Sequence, residues 1–167
     1  MTERQTFVRI RNVGDLQAVV DRHVAEVHLA NPADTPAALE AAGFGLLATK
    51  ALSGLLGACE PAMSIAHYHV LAVIAGVLDA LDPAPSLPEG LRNIHLEPTG
   101  ALEECWIQPL MAGVSDLIAG LNVLLPQIAA LATSDADRAA ISEGAQLSAE
   151  LPRCYEGLLR VPSAGES

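Results

Sequence analysis

Apolar residues recur at every third or fourth position along most of this chain, which is the spacing of helices with one buried face. The clearest stripe follows Gly14 and predicts a helix that ends near Ala30. Its apolar positions are Leu16, Val20, Val24 and Val27. The same spacing predicts helices over about 36–59, 61–81, 101–133 and 134–151, separated by proline-containing or polar breaks. Thr35 and Ser134 are the expected N-caps of the helices at 36–59 and 134–151. Pro109 and Pro126 are expected to kink or break the region 101–133.

The helices predicted over 36–59 and 61–81 differ from the rest because they carry few charged residues. The first contains four glycines, which weaken an isolated helix and are best explained as notches where neighbouring helices approach the backbone. They are Gly43, Gly45, Gly54 and Gly57. The second ends in "VLAVIAGVLDAL", which is apolar on almost every face and predicts a central buried helix or one covered by a second subunit.

These elements predict an all-α, single-domain bundle of five or six helices, with the helix at about 61–81 in its centre. Residues 1–13 form an N-terminal arm, in which "TFVRI" either pairs as an edge strand or packs across the bundle. The bundle domain is expected to span 14–160, and 161–167 to form a flexible tail. The longest loop, "DPAPSLPEG" and the residues after it, follows the helix at 61–81.

Charge and composition exclude several classes of function. The net charge of −11 disfavours binding to nucleic acid and to anionic membrane surfaces, and Lys50 is the only lysine. The three cysteines are far apart and no apolar leader precedes them, so we expect free thiols in a reducing cytoplasm. Mean hydropathy is +0.34, but the best apolar run, "LIAGLNVLLPQIAALA", is too short to span a membrane. We therefore expect no membrane span, and attribute the surplus apolar surface to a homodimer interface.

The stretch "CEPAMSIAHYHV" concentrates most of the chemistry-bearing side chains. Cys59, Met63 and His67 have the spacing of one helix face and are ligand types that suit copper(I) or haem iron. Pro61, however, is expected to end the preceding helix, so Cys59 falls outside the next one. His69 lies roughly 200° around the helix from His67, so the two imidazoles cannot share one metal ion. The sequence therefore predicts no metal site and no cofactor.

Two further sets of residues are candidates for a site. Acid–base catalysis in an apolar pocket would use His67, Tyr68, His69 and Glu104. Binding of a ligand without catalysis would use a different set, drawn from several helices. It comprises His23, Met63, His67, Trp106, Gln108 and Asn122. Lys50 is expected to extend to the surface from a helix edge rather than to act as a buried base.

No motif of a zinc protease or a serine hydrolase is present. The run "GFGLLA" has the spacing of a nucleotide-binding loop, but it lies within a predicted helix and no strand precedes it, so we reject that function. We expect a non-catalytic binding or accessory protein for a small apolar ligand or a protein partner. The alternative is a cofactor-independent enzyme, and a third interpretation is a haem or copper protein. An enclosed cavity that gathers two or more of His23, His67, His69 and Glu104 would favour the enzyme, whereas a shallow groove without titratable groups would favour the binding protein.

Overall fold

The computed structural model of this chain describes residues 6–155, and five long helices account for most of them. The helices are α1 (Val13–Leu29), α2 (Thr35–Cys59), α3 (Ser64–Leu81), α4 (Ile107–Leu131), α5 (Asp135–Ser148) and the single turn α6 (Leu151–Cys154). Short 3₁₀ turns, Pro61–Met63 and Glu104–Trp106, precede α3 and α4. Two short strands, β1 (Phe7–Ile10) and β2 (His95–Pro98), complete the described part. The predicted all-α single-domain bundle is confirmed.

Side chains at the helix starts explain why the helices begin where they do. The amide oxygen of Asn12 accepts a hydrogen bond from the Asp15 N–H at 2.9 Å and caps α1. Asp34 caps α2 in the same way, one residue before the position at which the sequence predicted a cap. Ser134 caps α5 as predicted. Pro61 separates α2 from α3, which confirms the predicted break in "CEPAMSIAHYHV".

The central helix is α2, so the prediction of a buried central helix at about 61–81 is wrong. In the most apolar window of each segment, 72% of α2 is buried but only 28% of Pro61–Leu81. The small residues of α2 explain the difference, because α1, α3 and α4 all pack against it. A Cβ built on Gly45 would lie 2.7 Å from Val27 Cγ2 of α1, which confirms the predicted glycine notch. The outer face of α3 remains exposed.

The N-terminal strand is paired, which decides between the two predicted alternatives for "TFVRI". β1 runs parallel to β2, with Phe7 opposite His95 and Ile10 opposite Pro98. β2 belongs to the long connection between α3 and α4, and it also contacts α2. The pairing therefore holds this connection against the bundle and places His95 beside the central helix.

A second contact holds the proline-rich part of that connection. The carboxylate of Asp137, which is 4% exposed at the start of α5, accepts hydrogen bonds from Ser86. The distances are 3.0 Å to the Ser86 backbone nitrogen and 2.6 Å to its hydroxyl. Hydrogen bonds to a buried carboxylate are among the stronger ones in proteins. The connection is thus attached at both halves, at Ser86 and at β2.

Helix α4 lies within the helical region that the sequence pattern predicted over 101–133. It continues without a break through Pro109, which lies in its first turn, and through Pro126. In the first turn of a helix the missing N–H of a proline leaves no hydrogen bond unmade.

Three segments are long and apolar enough to cross a membrane, by length and composition alone. They are Thr35–Cys59, Pro61–Leu81 and Glu104–Leu131.

Candidate functional site

A groove with a volume of about 440 Å³ lies between α2, the start of α3 and the segment around β2; we call it the α2–β2 groove. Its walls are mostly aliphatic, and its polar side chains come from Lys50, His67, Asn93 and His95. The remaining lining residues are Leu47, Ala51, Gly54, Leu55, Ala58, Leu71, Ile94, Leu96, Pro98 and Leu102. No acidic residue belongs to this lining, although the chain contains 20 aspartates and glutamates.

His67 is held in the groove by a hydrogen bond to the central helix. Its Nδ1 lies 2.7 Å from the hydroxyl oxygen of Ser53, a residue that is 0% exposed. The same hydroxyl donates to the backbone oxygen of Lys50 at 3.0 Å. A serine hydroxyl has a single proton, so both contacts are hydrogen bonds only if His67 Nδ1 carries the proton and donates. This arrangement leaves Nε2 of His67 as a hydrogen-bond acceptor.

Two glycines of α2 allow the first turn of α3 to approach closely enough for this contact. A Cβ built on Gly54 would lie 3.2 Å from His67 Cε1, and one on Gly57 would lie 3.3 Å from the Ser64 backbone. The hydroxyl of Ser64 also donates to the Gly57 carbonyl at 3.1 Å. The glycines that the sequence marked as packing notches therefore also position the imidazole of His67.

Lys50 contributes a positive charge to the groove, and no acidic residue of the lining offsets it. Its Nζ donates to the amide oxygen of Asn93 at 3.1 Å. Burial lowers the pKa of His67, and the nearby charge of Lys50 lowers it further. His67 is therefore neutral at pH 7, and Lys50 supplies the fixed positive charge of the α2–β2 groove.

Tyr155, which was not among the predicted site residues, lies next to Ser53. This residue is 1% exposed, and burial raises the pKa of its phenol to about 12, while the adjacent Ser53 hydroxyl opposes that shift. Within residues 6–155 its hydroxyl has no hydrogen-bond partner of ordinary geometry. Tyr155 thus stays protonated at neutral pH beside Ser53, the hydrogen-bond partner of His67.

The structure separates His67 from the other predicted acid–base residues. Tyr68 is 69% exposed, with its ring centroid 6.2 Å from that of His67 and the two planes tilted by 40°. His69 is exposed on α3, and Glu104 is exposed at the start of the turn before α4. None of these three lines the α2–β2 groove.

The predicted ligand-binding residues are also dispersed. Met63 and Trp106 belong to the hydrophobic core, where they are 5% and 2% exposed. Gln108 is exposed on α4, whereas Asn122 accepts a hydrogen bond from the Ser148 hydroxyl of α5 at 2.9 Å. His23 is 5% exposed and lines a different cavity, between β1 and α1, beside the side chains of three arginines. They are Arg9, Arg11 and Arg22.

Metal and thiol chemistry receive no support from the described residues. Between residues 6 and 155, no group of three or more histidines, cysteines, aspartates or glutamates is placed to hold a metal ion. The three cysteines are free thiols. Burial raises the pKa of Cys59 and of Cys154, and the hydrogen bond to Glu103 raises that of Cys105. Raised pKa values make these thiols weak nucleophiles.

Sequence reasoning selected His67 but missed its partners in the groove. Lys50 was expected to extend to the surface, and its amine does lie at the groove rim, where Asn93 binds it. Asn93 and His95 lie more than forty positions after Lys50 in the sequence. They belong to a connection whose placement depends on the β1–β2 pairing. Helical periodicity carries no signal for that pairing.

Comparison with known proteins relates this chain to no family. No protein-family model, no curated protein and no solved structure matches this chain. The α2–β2 groove and its side chains are therefore the basis on which a function is proposed.

Proposed function

We propose that this protein is a non-catalytic binding protein for a small apolar ligand, and that the ligand occupies the α2–β2 groove. The observation that carries the proposal is the lining itself, an aliphatic surface that includes four polar side chains. Ligand sites are typically concave, mostly apolar and about 300–1,000 Å³ in volume. The groove, at about 440 Å³, has a size within that range.

The dispersal of the predicted acid–base residues supports binding over catalysis. Of the four residues whose convergence would favour an enzyme, only His67 lines the α2–β2 groove. Ser53 contacts His67 as a nucleophile would contact its base, but its side chain is fully buried and does not line the groove. A general base must reach a proton on its substrate, and a nucleophile must reach the reacting atom.

The binding proposal is tested by filling the groove from an exposed position. Ala58 is exposed and lines the groove, so Ala58→Trp adds bulk there without disturbing the core. We expect calorimetric titration with decanol and decanoate to show binding to the unmodified protein. The affinity should fall about tenfold or more in Ala58→Trp, because the indole occupies space that the ligand needs.

Ala25→Trp is the matched control, because Ala25 is exposed on α1 and lies outside the groove. It should bind both compounds as the unmodified protein does. Binding that Ala58→Trp leaves unchanged, or the absence of binding by either compound, would contradict the proposal.

We also propose that two copies associate through the outer face of α3. Its side chains Ile65 and Tyr68 are 67% and 69% exposed, although α3 is among the most apolar segments of the chain. Exposed apolar surface of this kind favours association. Sedimentation equilibrium at micromolar concentration should show a dimer, and Ile65→Asp should shift it towards the monomer. A monomeric unmodified protein would refute the dimer and leave the ligand proposal intact.

A further inference from the structure

We propose that the ligand of the α2–β2 groove is an amphipathic anion: a small molecule with an aliphatic chain that ends in a single negatively charged group such as a carboxylate. Lys50 is its counter-ion. The inference rests on the proposed binding function and names the class of ligand that this function requires.

The charge of the lining is the first argument. The protein carries a net charge of −11, yet the groove lacks acidic residues and its titratable side chains are Lys50, His67 and His95. Lys50 is the cation of this lining, whereas the lowered pKa of His67 keeps that imidazole neutral at pH 7. One fixed positive charge in an aliphatic surface matches one negative charge on an aliphatic ligand.

The second argument is that no carboxylate among residues 6–155 pairs with Lys50. Within the described part of the chain its amine has no ion pair, and the group that it contacts, Asn93, is neutral. By contrast, five arginines each lie 2.9–3.6 Å from a carboxylate. They are Arg9, Arg11, Arg22, Arg138 and Arg153. Lys50 is therefore available to an anionic ligand, which would take the place of a carboxylate.

The alternatives fit the groove less well. A cationic amphiphile would be repelled by Lys50, and an uncharged one would remove water from the lysine amine without replacing its hydrogen bonds. An anion satisfies the amine and can also accept hydrogen bonds from His95 or from the Asn93 amide. The overall negative charge does not prevent this, because physiological salt screens charges that lie beyond about 8 Å.

The aliphatic chain of the ligand would contact the aliphatic side chains of the lining. Leu47 and Leu55 of α2, Leu71 of α3, and Ile94 and Leu96 beside and within β2 form the aliphatic part of the lining. Each methylene group that leaves water there adds to the affinity through the hydrophobic effect. Chain burial thus supplies affinity, and Lys50 supplies selection by charge.

Three probes with the same chain test the inference by calorimetric titration at neutral pH: decanoate, decanol and decyltrimethylammonium. We expect decanoate to bind most tightly and the ammonium compound most weakly. Lys50→Met should weaken decanoate binding about tenfold or more, since an interaction with a charged group is lost, and should leave decanol within about threefold. Lys50→Arg should keep most of the preference for decanoate.

Arg92→Met is the matched control, because it removes one positive charge from an exposed residue next to Asn93 that does not line the groove. It should leave all three affinities unchanged. A preference that Arg92→Met reduces as much as Lys50→Met would overturn the inference, since it would then reflect overall charge.

Failure of the inference and failure of the proposed function give different results. If decanol binds as tightly as decanoate, or if Lys50→Met has no effect on decanoate, the anionic class is wrong and the apolar groove stands. If none of the three probes binds, both proposals are wrong. Circular dichroism and thermal unfolding of each variant establish that the comparison is made between folded proteins.

Discussion

Trp106→Ala is expected to reduce the free energy of unfolding by about 3–5 kcal/mol, the range for truncating a large aromatic side chain in a core. Trp106 is 2% exposed, and its 3₁₀ turn contacts α1, α2 and α4. Its removal would leave a cavity where three helices meet, and close-packed helices relax only partly into such a space. Chemical denaturation measured by circular dichroism gives the change in free energy.

Trp106→Phe separates the packing of the ring from the chemistry of the indole. Within residues 6–155 the indole N–H is buried without a hydrogen-bond partner, so its removal relieves a desolvation cost while most of the apolar volume remains. We expect a loss of less than about 1.5 kcal/mol for this variant. If the phenylalanine and alanine variants lose the same free energy, the packing argument fails.

Gly45→Ala is expected to destabilise the protein by about 1–3 kcal/mol, although alanine is the better helix former. The added Cβ would lie 2.7 Å from Val27 Cγ2 and 3.2 Å from Leu121 Cδ2, in the space where α1 and α4 pack against α2. Valine has little rotational freedom in a helix, so it cannot move aside easily. The backbone of α1 or α2 would have to shift.

Gly76→Ala is the matched comparison and should stabilise the protein by up to about 1 kcal/mol. A Cβ on Gly76 of α3 would meet Leu147 Cδ1 at 3.9 Å, which is an ordinary contact. Helix propensity therefore decides the sign at Gly76, whereas packing decides it at Gly45. Equal effects of the two substitutions in thermal unfolding would show that the notch at Gly45 does not constrain the packing.

Much of the fold could be predicted from the sequence because helices are local structures. The pattern placed the end of α2 at Cys59 and the end of α3 at Leu81, where the structure has them. Ser134 was recognised as a cap because capping involves residues three positions apart. Which helix is the most buried could not be predicted in this way. Hydropathy ranked the segment 61–81 as central, but backbone approach at the glycines of α2 made α2 central instead.

The candidate site divides in the same manner. His67 was a predicted candidate for both acid–base catalysis and ligand binding, and it lines the α2–β2 groove. Its contact with Ser53 needed two helices to pack, and the arrival of Asn93 and His95 needed β1 to pair with β2. Met63 and Trp106 were attractive as ligand contacts by residue type, but the core encloses both.

The sequence by itself determined the helical class, the ends of α2 and α3, the glycine notches and the negative charge, because each depends on composition or on residues within one or two turns of one another. Only the tertiary structure decided that α2 is central and that Lys50, His67 and His95 line one groove. The physical reason is that these three residues belong to α2, α3 and β2. Their proximity follows from how those elements pack, and the local periodicity of a chain does not encode it.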